Sequence, residues 1–263
     1  MRTALVNVME RAARRAARGL VRDFGELESL QITKKGTADF VSNADKAAEA
    51  IIRDELETAR PRFGFLMEES GTIEGSDPDH RWIVDPLDGT TNFLHGLPHF
   101  AISIALEHSG RIISGVIYDP IKDELFWAER GKGAFMNDRR LRVSPTRQLT
   151  ESVLATGIPF AGRKGGPEFM QDMARVMPAV AGIRRFGAAA LDLAYVAAGR
   201  YEGFFERYLS YWDIAAGILL VREAGGIVTD IQGGGRVVET GHVLAANDMI
   251  HPQMVRLLKQ EKT

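Results

Sequence analysis

The run Trp82-Ile83-Val84-Asp85-Pro86-Leu87-Asp88-Gly89-Thr90-Thr91-Asn92-Phe93 decides how this chain is read. Its first three apolar residues suit a short buried strand that delivers Asp85 at its end. Pro86 turns the chain, because its ring fixes φ and removes a backbone donor. Asp88-Gly89-Thr90-Thr91 then reads as a helix start. Two carboxylates three residues apart across such a turn point into one volume. Oxygen donors are what a hard divalent cation takes, and Mg²⁺ commonly uses one or two carboxylates with waters and phosphate oxygens. The N–H groups of Gly89 and Thr90 would face a bound phosphate at the helix start. Taken alone, the run also reads as an Asp-capped turn behind a buried strand.

Working outward, residues 62–67 form a second short apolar run, which finishes on Glu68-Glu69. An apolar strand has no packing reason to end on adjacent acids. Trp212-Asp213-Ile214-Ala215-Ala216-Gly217 sets another acid in the first turn of an apolar helix, where the helix dipole offers a competing explanation. Asp39 and Asp45 stand before and just inside an early helix, and capping explains them equally simply. Strand ends that bring carboxylates together are a common way to build a site on an α/β sheet.

The remaining pattern mixes strands and helices. Apolar spacing predicts helices over about 1–24 and 43–58, and Ser109-Gly110 predicts a hairpin between strands 100–108 and 112–118. Strands over 124–128 and 133–136 continue the meander. Beyond a strand at 153–156, helices at 167–176, 189–198, 212–224 and 252–259 alternate with strands at 203–205 and 227–229. The segment 70–80 reads as an exposed loop. This order predicts layered α/β or α+β packing in a single unit with two lobes, about 1–150 and 151–263.

Composition narrows the chemistry. With 33 basic and 35 acidic residues and a formal net charge of −2, the chain is not built mainly to grip nucleic acid. It has no cysteine, which removes disulfides, thiolate zinc sites and cysteine nucleophiles, and is compatible with a reducing cytoplasm. No apolar run approaches the roughly 18 residues of a membrane span. Arg11, Arg14, Arg15 and Arg18 fall opposite the apolar stripe of the first helix, which predicts a solvated basic face rather than a targeting segment.

Together, Glu68-Glu69-Ser70, the run from Asp85 to Phe93 and Trp212-Asp213-Ile214-Ala215-Ala216-Gly217 resemble the signatures of the inositol monophosphatase family. The segment from Lys34 to Asp45, with Asp39-Phe40-Val41-Ser42, is similar to that family's N-terminal motif, and 184–234 resembles its bacterial members. The resemblance implies an αβαβα sandwich and a Mg²⁺-dependent, lithium-sensitive, usually dimeric phosphatase holding two to three Mg²⁺. By position, it implies that Glu68, Asp85 and the Leu87 carbonyl hold one metal. Asp85, Asp88 and Asp213 hold a second, and Glu68 helps with a weaker third. Asp45 and Thr90 position and help deprotonate the attacking water, while the Gly89 and Thr90 amides bind phosphate. Glu206 reads substrate hydroxyls, with Asp88 and Asp213 beside it and Gly187, Ala188 and Ala189 as the substrate wall. Inositol 1-phosphate is the expected substrate; histidinol phosphate, fructose 1,6-bisphosphate and nucleotide 3′-phosphates are alternatives.

The chain departs from the family pattern at Met67, at Ala188 and across Arg207-Tyr208-Leu209-Ser210-Tyr211, all places that bear on substrate choice. Competing chemistries fit less well. A phospho-aspartate phosphatase needs its two acids two residues apart near the N-terminus, whereas Asp85 and Asp88 are three apart and a third of the way along. Gly131-Lys132-Gly133 lacks a third glycine and a following helix, so it is no dinucleotide fingerprint. His95 and His99 have no third nitrogen ligand in view and read as loop residues. A regulatory role in contact with RNA or transcription machinery, resting on the Arg-rich first helix and Arg184-Arg185, is the alternative of another class.

Overall fold

The computed structural model describes residues 2–30, 34–159 and 164–259, and the side chains of 27–42 lie outside that description. In chain order the elements open with α1 (Ala4–Leu30) and α2 (Lys34–Ala59), then β1 (Phe63–Met67), β2 (Gly71–Ile73) and β3 (Asp77–Asp88). A short α3 (Thr90–Leu94) leads to β4 (Ala101–His108), β5 (Arg111–Asp119), β6 (Glu124–Glu129), β7 (Gly133–Met136) and β8 (Arg139–Arg140). The second half holds β9 (Val153–Thr156), α4 (Gly166–Val176), β10 (Gly182–Arg184), α5 (Ala189–Ala197) and β11 (Gly203–Glu206). It ends with α6 (Tyr211–Glu223), β12 (Ile227–Thr229), α7 (Val237–Thr240), β13 (Val243–Ala246) and α8 (His251–Leu258).

Among the described residues these strands form an eight-stranded sheet, β2-β1-β3-β4-β5-β6-β7-β8, and a five-stranded sheet, β10-β9-β11-β13-β12. The helices then stack as the expected αβαβα sandwich. α1 and α2 cover the outer face of the large sheet with Val6, Met9, Ala13 and Leu20 turned inward, while Arg11 and Arg15 stay in water. α5 and α6 lie between the two sheets, and α8 packs against the outer face of the small one. The middle layer explains why α5 is buried on every side and α6 along Ile214–Val221. A helix with protein on all sides has no polar face to present. Each Leu, Ile or Phe fully buried here contributes roughly 1.5–3 kcal/mol before entropy is set against it.

The structure corrects several expectations. β3 does not stop at Asp85 but runs on through Pro86 to Asp88. Its pairing with β4 breaks register between Asp85 and Asp88, so the proline sits where the ladder requires no donor from it. The segment 70–80 is not simply a loop; it forms β2 and the start of β3. β10, β13 and α7 had no expectation, being too short or too uniformly apolar to show a period. The backbone of the upstream motif acid Asp39 lies inside α2 rather than before it, and its side chain is outside the description.

Candidate active site

Two chain ends of parallel neighbours create the site. β1 and β3 run side by side with Met67 opposite Val84, so Glu68 and Asp85 leave the sheet at the same edge. Asp85 accepts the backbone N–H of Leu87 at 2.9 Å through Oδ1, within the stretch where β3 slips register against β4. Thr90 donates its hydroxyl to the Leu87 carbonyl at 3.0 Å. Gly89, at φ 95°, caps α3 in a left-handed conformation that a side chain rarely adopts, and a Cβ there would meet the His99 carbonyl at 3.0 Å.

The other acids arrive from elements distant in sequence. Asp88 accepts the N–H of Ala190 at 2.7 Å through Oδ2, so the start of α5 holds it in place. Asp213 closes a capping box at the start of α6, with Ser210 N–H donating to its Oδ2 at 2.7 Å. Asp213 is thus a helix cap that also lines the cavity into which the other acids project. Glu206 ends β11 against Gly157, where a Cβ would fall 2.0 Å from the Glu206 carboxyl carbon.

These groups line one cavity of about 350 Å³ that includes Asp45, Glu68, Asp85, Leu87, Asp88, Gly89, Thr90, Gly187, Ala189, Glu206 and Asp213. Ala188 is the exception among the expected wall residues. It is fully buried behind the wall, in the central core, and does not line the cavity. Pulled from water and crowded together, the acids resist ionisation. Burial, with Glu68, Asp88 and Asp213 nearby, pushes Asp85 well above the ordinary carboxylate range. Asp88 is raised likewise by burial and Asp213. Burial with Glu68, Glu69 and Glu49 around it pushes Asp45 up to about 8, and its Oδ1 is a buried oxygen without a hydrogen-bond partner.

Such a donor set fits a hard cation. It offers carboxylate and carbonyl oxygens, no sulfur and no imidazole, and a concentration of negative charge that a divalent ion would relieve. Among the described residues no three acidic or histidine side chains are already arranged to hold one ion. An ion here would draw further donors from the Leu87 carbonyl, water and substrate oxygens.

Several residues in or around the cavity had no part in the expected site. Arg185 is the one cation among the described lining residues. Glu49, 3% exposed, accepts the N–H of Glu69 at 2.9 Å and the Ser70 hydroxyl, and so fixes the acidic turn from below. Its signal was available, since Glu49 follows Asp45 by one helical turn on the same face. Asn92 ties α3 to the wall by donating to the carbonyls of His99 at 2.8 Å and Phe186 at 2.7 Å. Asp192, buried in α5, is raised well above the ordinary range by burial and by Glu206 and Asp88. It sits behind the wall rather than in it.

A carboxylate-rich cavity between two sheets of an αβαβα sandwich defines a phosphatase of the sugar-phosphatase architecture. Comparison with known proteins agrees. The model of the inositol monophosphatase family matches residues 1–263, and the chain belongs to that family. It is 57% identical over 259 residues to an inositol-1-monophosphatase of Mesorhizobium japonicum, covering 98% of this chain and 97% of that one. It is 46% identical over 257 residues to the Nus factor SuhB of Escherichia coli, covering 98% and 96%. A crystal structure of the extragenic suppressor protein suhB from Bartonella henselae superposes with a TM-score of 0.92 at 58% identity, over 99% of this chain and 100% of that one. The chain is a phosphatase, and its family is metal-dependent.

Proposed function

We propose that this enzyme hydrolyses a small polyol phosphate, inositol 1-phosphate foremost, with Mg²⁺ as its metal. One observation carries the reading: an oxygen-only acid cluster and the Gly89–Thr90 amides share a single cavity with Glu206 at its far wall. The Mesorhizobium relative supports the choice of ester by its name. Glu68, Asp85, the Leu87 carbonyl, Asp88 and Asp213 would hold two to three Mg²⁺. When bound, such ions lower the pKa of water and stabilise both the entering and leaving oxygens of an in-line displacement.

The protein's own part is positioning. Gly89 and Thr90 present N–H groups to the phosphate, and the positive φ of Gly89 aims them. Asp45, with its unpartnered buried oxygen, is the acceptor for the proton that the attacking water sheds, and Thr90 orients that water. Glu206 hydrogen-bonds hydroxyls of the alcohol, while Gly187 and Ala189 leave room for its ring. No enzyme-bound phosphate is needed. The two sheets act as two lobes, divided near residue 150, that meet at this cavity. Lithium, a small hard cation, would compete for the same oxygens and inhibit.

A panel of phosphate esters assayed with Mg²⁺ and ranked by kcat/KM tests the assignment. It should include histidinol phosphate, fructose 1,6-bisphosphate and a nucleotide 3′-phosphate. A top rank for any of these three would replace the polyol; no release from any ester would remove the hydrolase reading. A lithium dose series at fixed Mg²⁺ tests the inhibition.

A homodimer is part of the same proposal. Leu97, Ile121 and Phe186 are 52%, 37% and 42% exposed, and Leu97 and Phe186 border a largely apolar hollow beside the active site. A second copy covering this patch would bury Phe186 next to the substrate wall. Contact with transcription machinery is a second reading, favoured by the Escherichia relative's name. The first helix gives it little support, because Arg11 and Arg15 pair with Glu55 and Arg14 with Glu10 and Asp123. Co-purification with RNA polymerase components by a catalytically dead variant would favour that role. None of the described helices is long and apolar enough to cross a membrane.

A further inference from the structure

On the far flank of α6 lies a cavity of about 400 Å³ that shares no residue with the active site. The β4–β5 turn, the end of β6, α6 and α7 enclose it. We propose that this cavity is a second ligand site, which takes a small organic anion bearing a phosphate or carboxylate head and an apolar body.

Charge bookkeeping at the rim carries the argument. Three guanidinium groups line the cavity: Arg111 at the start of β5, Arg130 after β6, and Arg222 in the last turn of α6. None of them forms an ion pair among the described residues. Arg130 donates to the Ile112 carbonyl at 2.8 and 3.0 Å, and Arg222 to the Val228 carbonyl at 3.3 Å, both neutral acceptors. The acids that line the same cavity are mostly committed elsewhere. Glu107 accepts from Arg81 at 2.9 Å and from the Tyr211 hydroxyl at 2.7 Å. Glu223 accepts the N–H groups of Gly131 and Gly133 at 2.9 and 2.8 Å. Three guanidinium groups therefore stand against two carboxylates that no arginine pairs with, Glu223 and exposed Glu239.

Arg130 and Arg222 line the same space, close enough for the charge of one to act on the other. Burial and the Arg130 charge hold Arg222 below arginine's ordinary value, the direction in which an arriving anion would be welcomed. By contrast, Arg200 pairs with Glu124 and Arg207 with Asp172. Guanidinium forks match phosphate and carboxylate oxygens in pairs. The floor is apolar, made by Ile218, Leu219 and Val237, which suits a carbon skeleton behind the charged head. Tyr211 also lines the cavity and lies two residues before Asp213, so a ligand here would touch the helix that carries a site acid.

The test is calorimetric titration of the full chain with phenyl phosphate and, separately, citrate, in Mg²⁺-free buffer so that no ester is turned over. Wild type and Asp85→Asn should both show saturable binding, because the active-site acids are not involved. Arg222→Glu and Arg130→Gln, each checked for an unchanged melting curve, should weaken it at least tenfold, and added salt should weaken it further. Tighter phenyl phosphate binding identifies a phosphate ligand; tighter citrate binding identifies a carboxylate. Absence of saturable binding up to about 10 mM of either probe overturns the proposal, since that is affinity too weak to be specific. Binding unchanged in both arginine variants overturns it equally.

Discussion

Asp88 and Ala190 are joined by a single 2.7 Å hydrogen bond from the Ala190 N–H to the Asp88 carboxylate, across 102 positions of sequence. It fastens the end of the acid-bearing strand to the start of the helix behind the substrate wall. An acid of the cavity is thereby oriented by backbone rather than by another side chain, and the helix start gains a negative partner.

This bond separates two functions of Asp88. In Asp88→Asn an amide oxygen still accepts from Ala190, so the fold and the wall stay in place while the charge is lost. Turnover should drop about 100-fold or more, the scale of losing one transition-state stabiliser. Asp88→Ala should lose the same turnover and also melt earlier, because it leaves the Ala190 N–H buried without a partner. Equal melting temperatures for the two variants would remove the tethering role.

Asp85 sits amid like charges, so its removal has opposite effects on activity and on the metal-free fold. Asp85→Asn should abolish Mg²⁺-dependent hydrolysis yet raise the stability of the chelated protein by about 1 kcal/mol, in the manner of active-site acids held against their own repulsion. Mg²⁺ should raise the melting temperature of wild type far more than that of the variant. Wild-type turnover in Asp85→Asn would end the shared-ligand reading.

The pH dependence follows from Asp45. Its carboxyl is raised to about 8 in the fold, so its contribution to stability is complete below the ordinary carboxylate value and is lost as pH climbs through 8. His99, which burial pushes down to about 4, acts in the other direction, but only below the ordinary histidine value near 6.5. The clean window is therefore about pH 7 to 8.5. Across it the Mg²⁺-free protein should lose several degrees of melting temperature in differential scanning fluorimetry, and Mg²⁺ should restore them. A flat or rising profile would contradict the burial of these acids.

Gly157 leaves the space that Glu206 occupies. A Cβ at that position would overlap the Glu206 carboxylate, so Gly157→Ala must displace it. The variant should bind Mg²⁺ normally and lose discrimination among polyol phosphates, matching Glu206→Ala in its kcat/KM ranking. An unchanged ranking in both variants would show that Glu206 does not read the alcohol.

Phe186→Glu places a charge in the exposed apolar patch. Light scattering should show a monomer where wild type gives a dimer, with the metal-dependent melting shift preserved. A wild-type mass would move the interface elsewhere.

Much of the site was legible because local chemistry had no structural excuse. Acids at the ends of apolar strands, as with Glu68 and Asp85, cost solvation unless something offsets it, and the pattern shows without coordinates. β10 and β13 were illegible for the opposite reason: a strand of three or four residues gives period-two alternation no room to appear. Ala188 was expected in the wall from the family resemblance alone; its side chain is buried in the central core, which only the packing of α5 reveals.

The sequence by itself determined the inventory: a set of acids at element ends, a helix start at Gly89, the apolar helices and the family. Those depend on residue type and on spacing within one element. Tertiary structure alone decided the company each acid keeps. Whether Asp213 is a cap, a ligand or both, whether Asp45 meets Glu68, and whether Asp88 is held by α5 depend on how two sheets and a middle helix layer pack. Packing also set the proton affinities, since an acid's readiness to ionise follows burial and neighbouring charge, and neither is written in the order of residues.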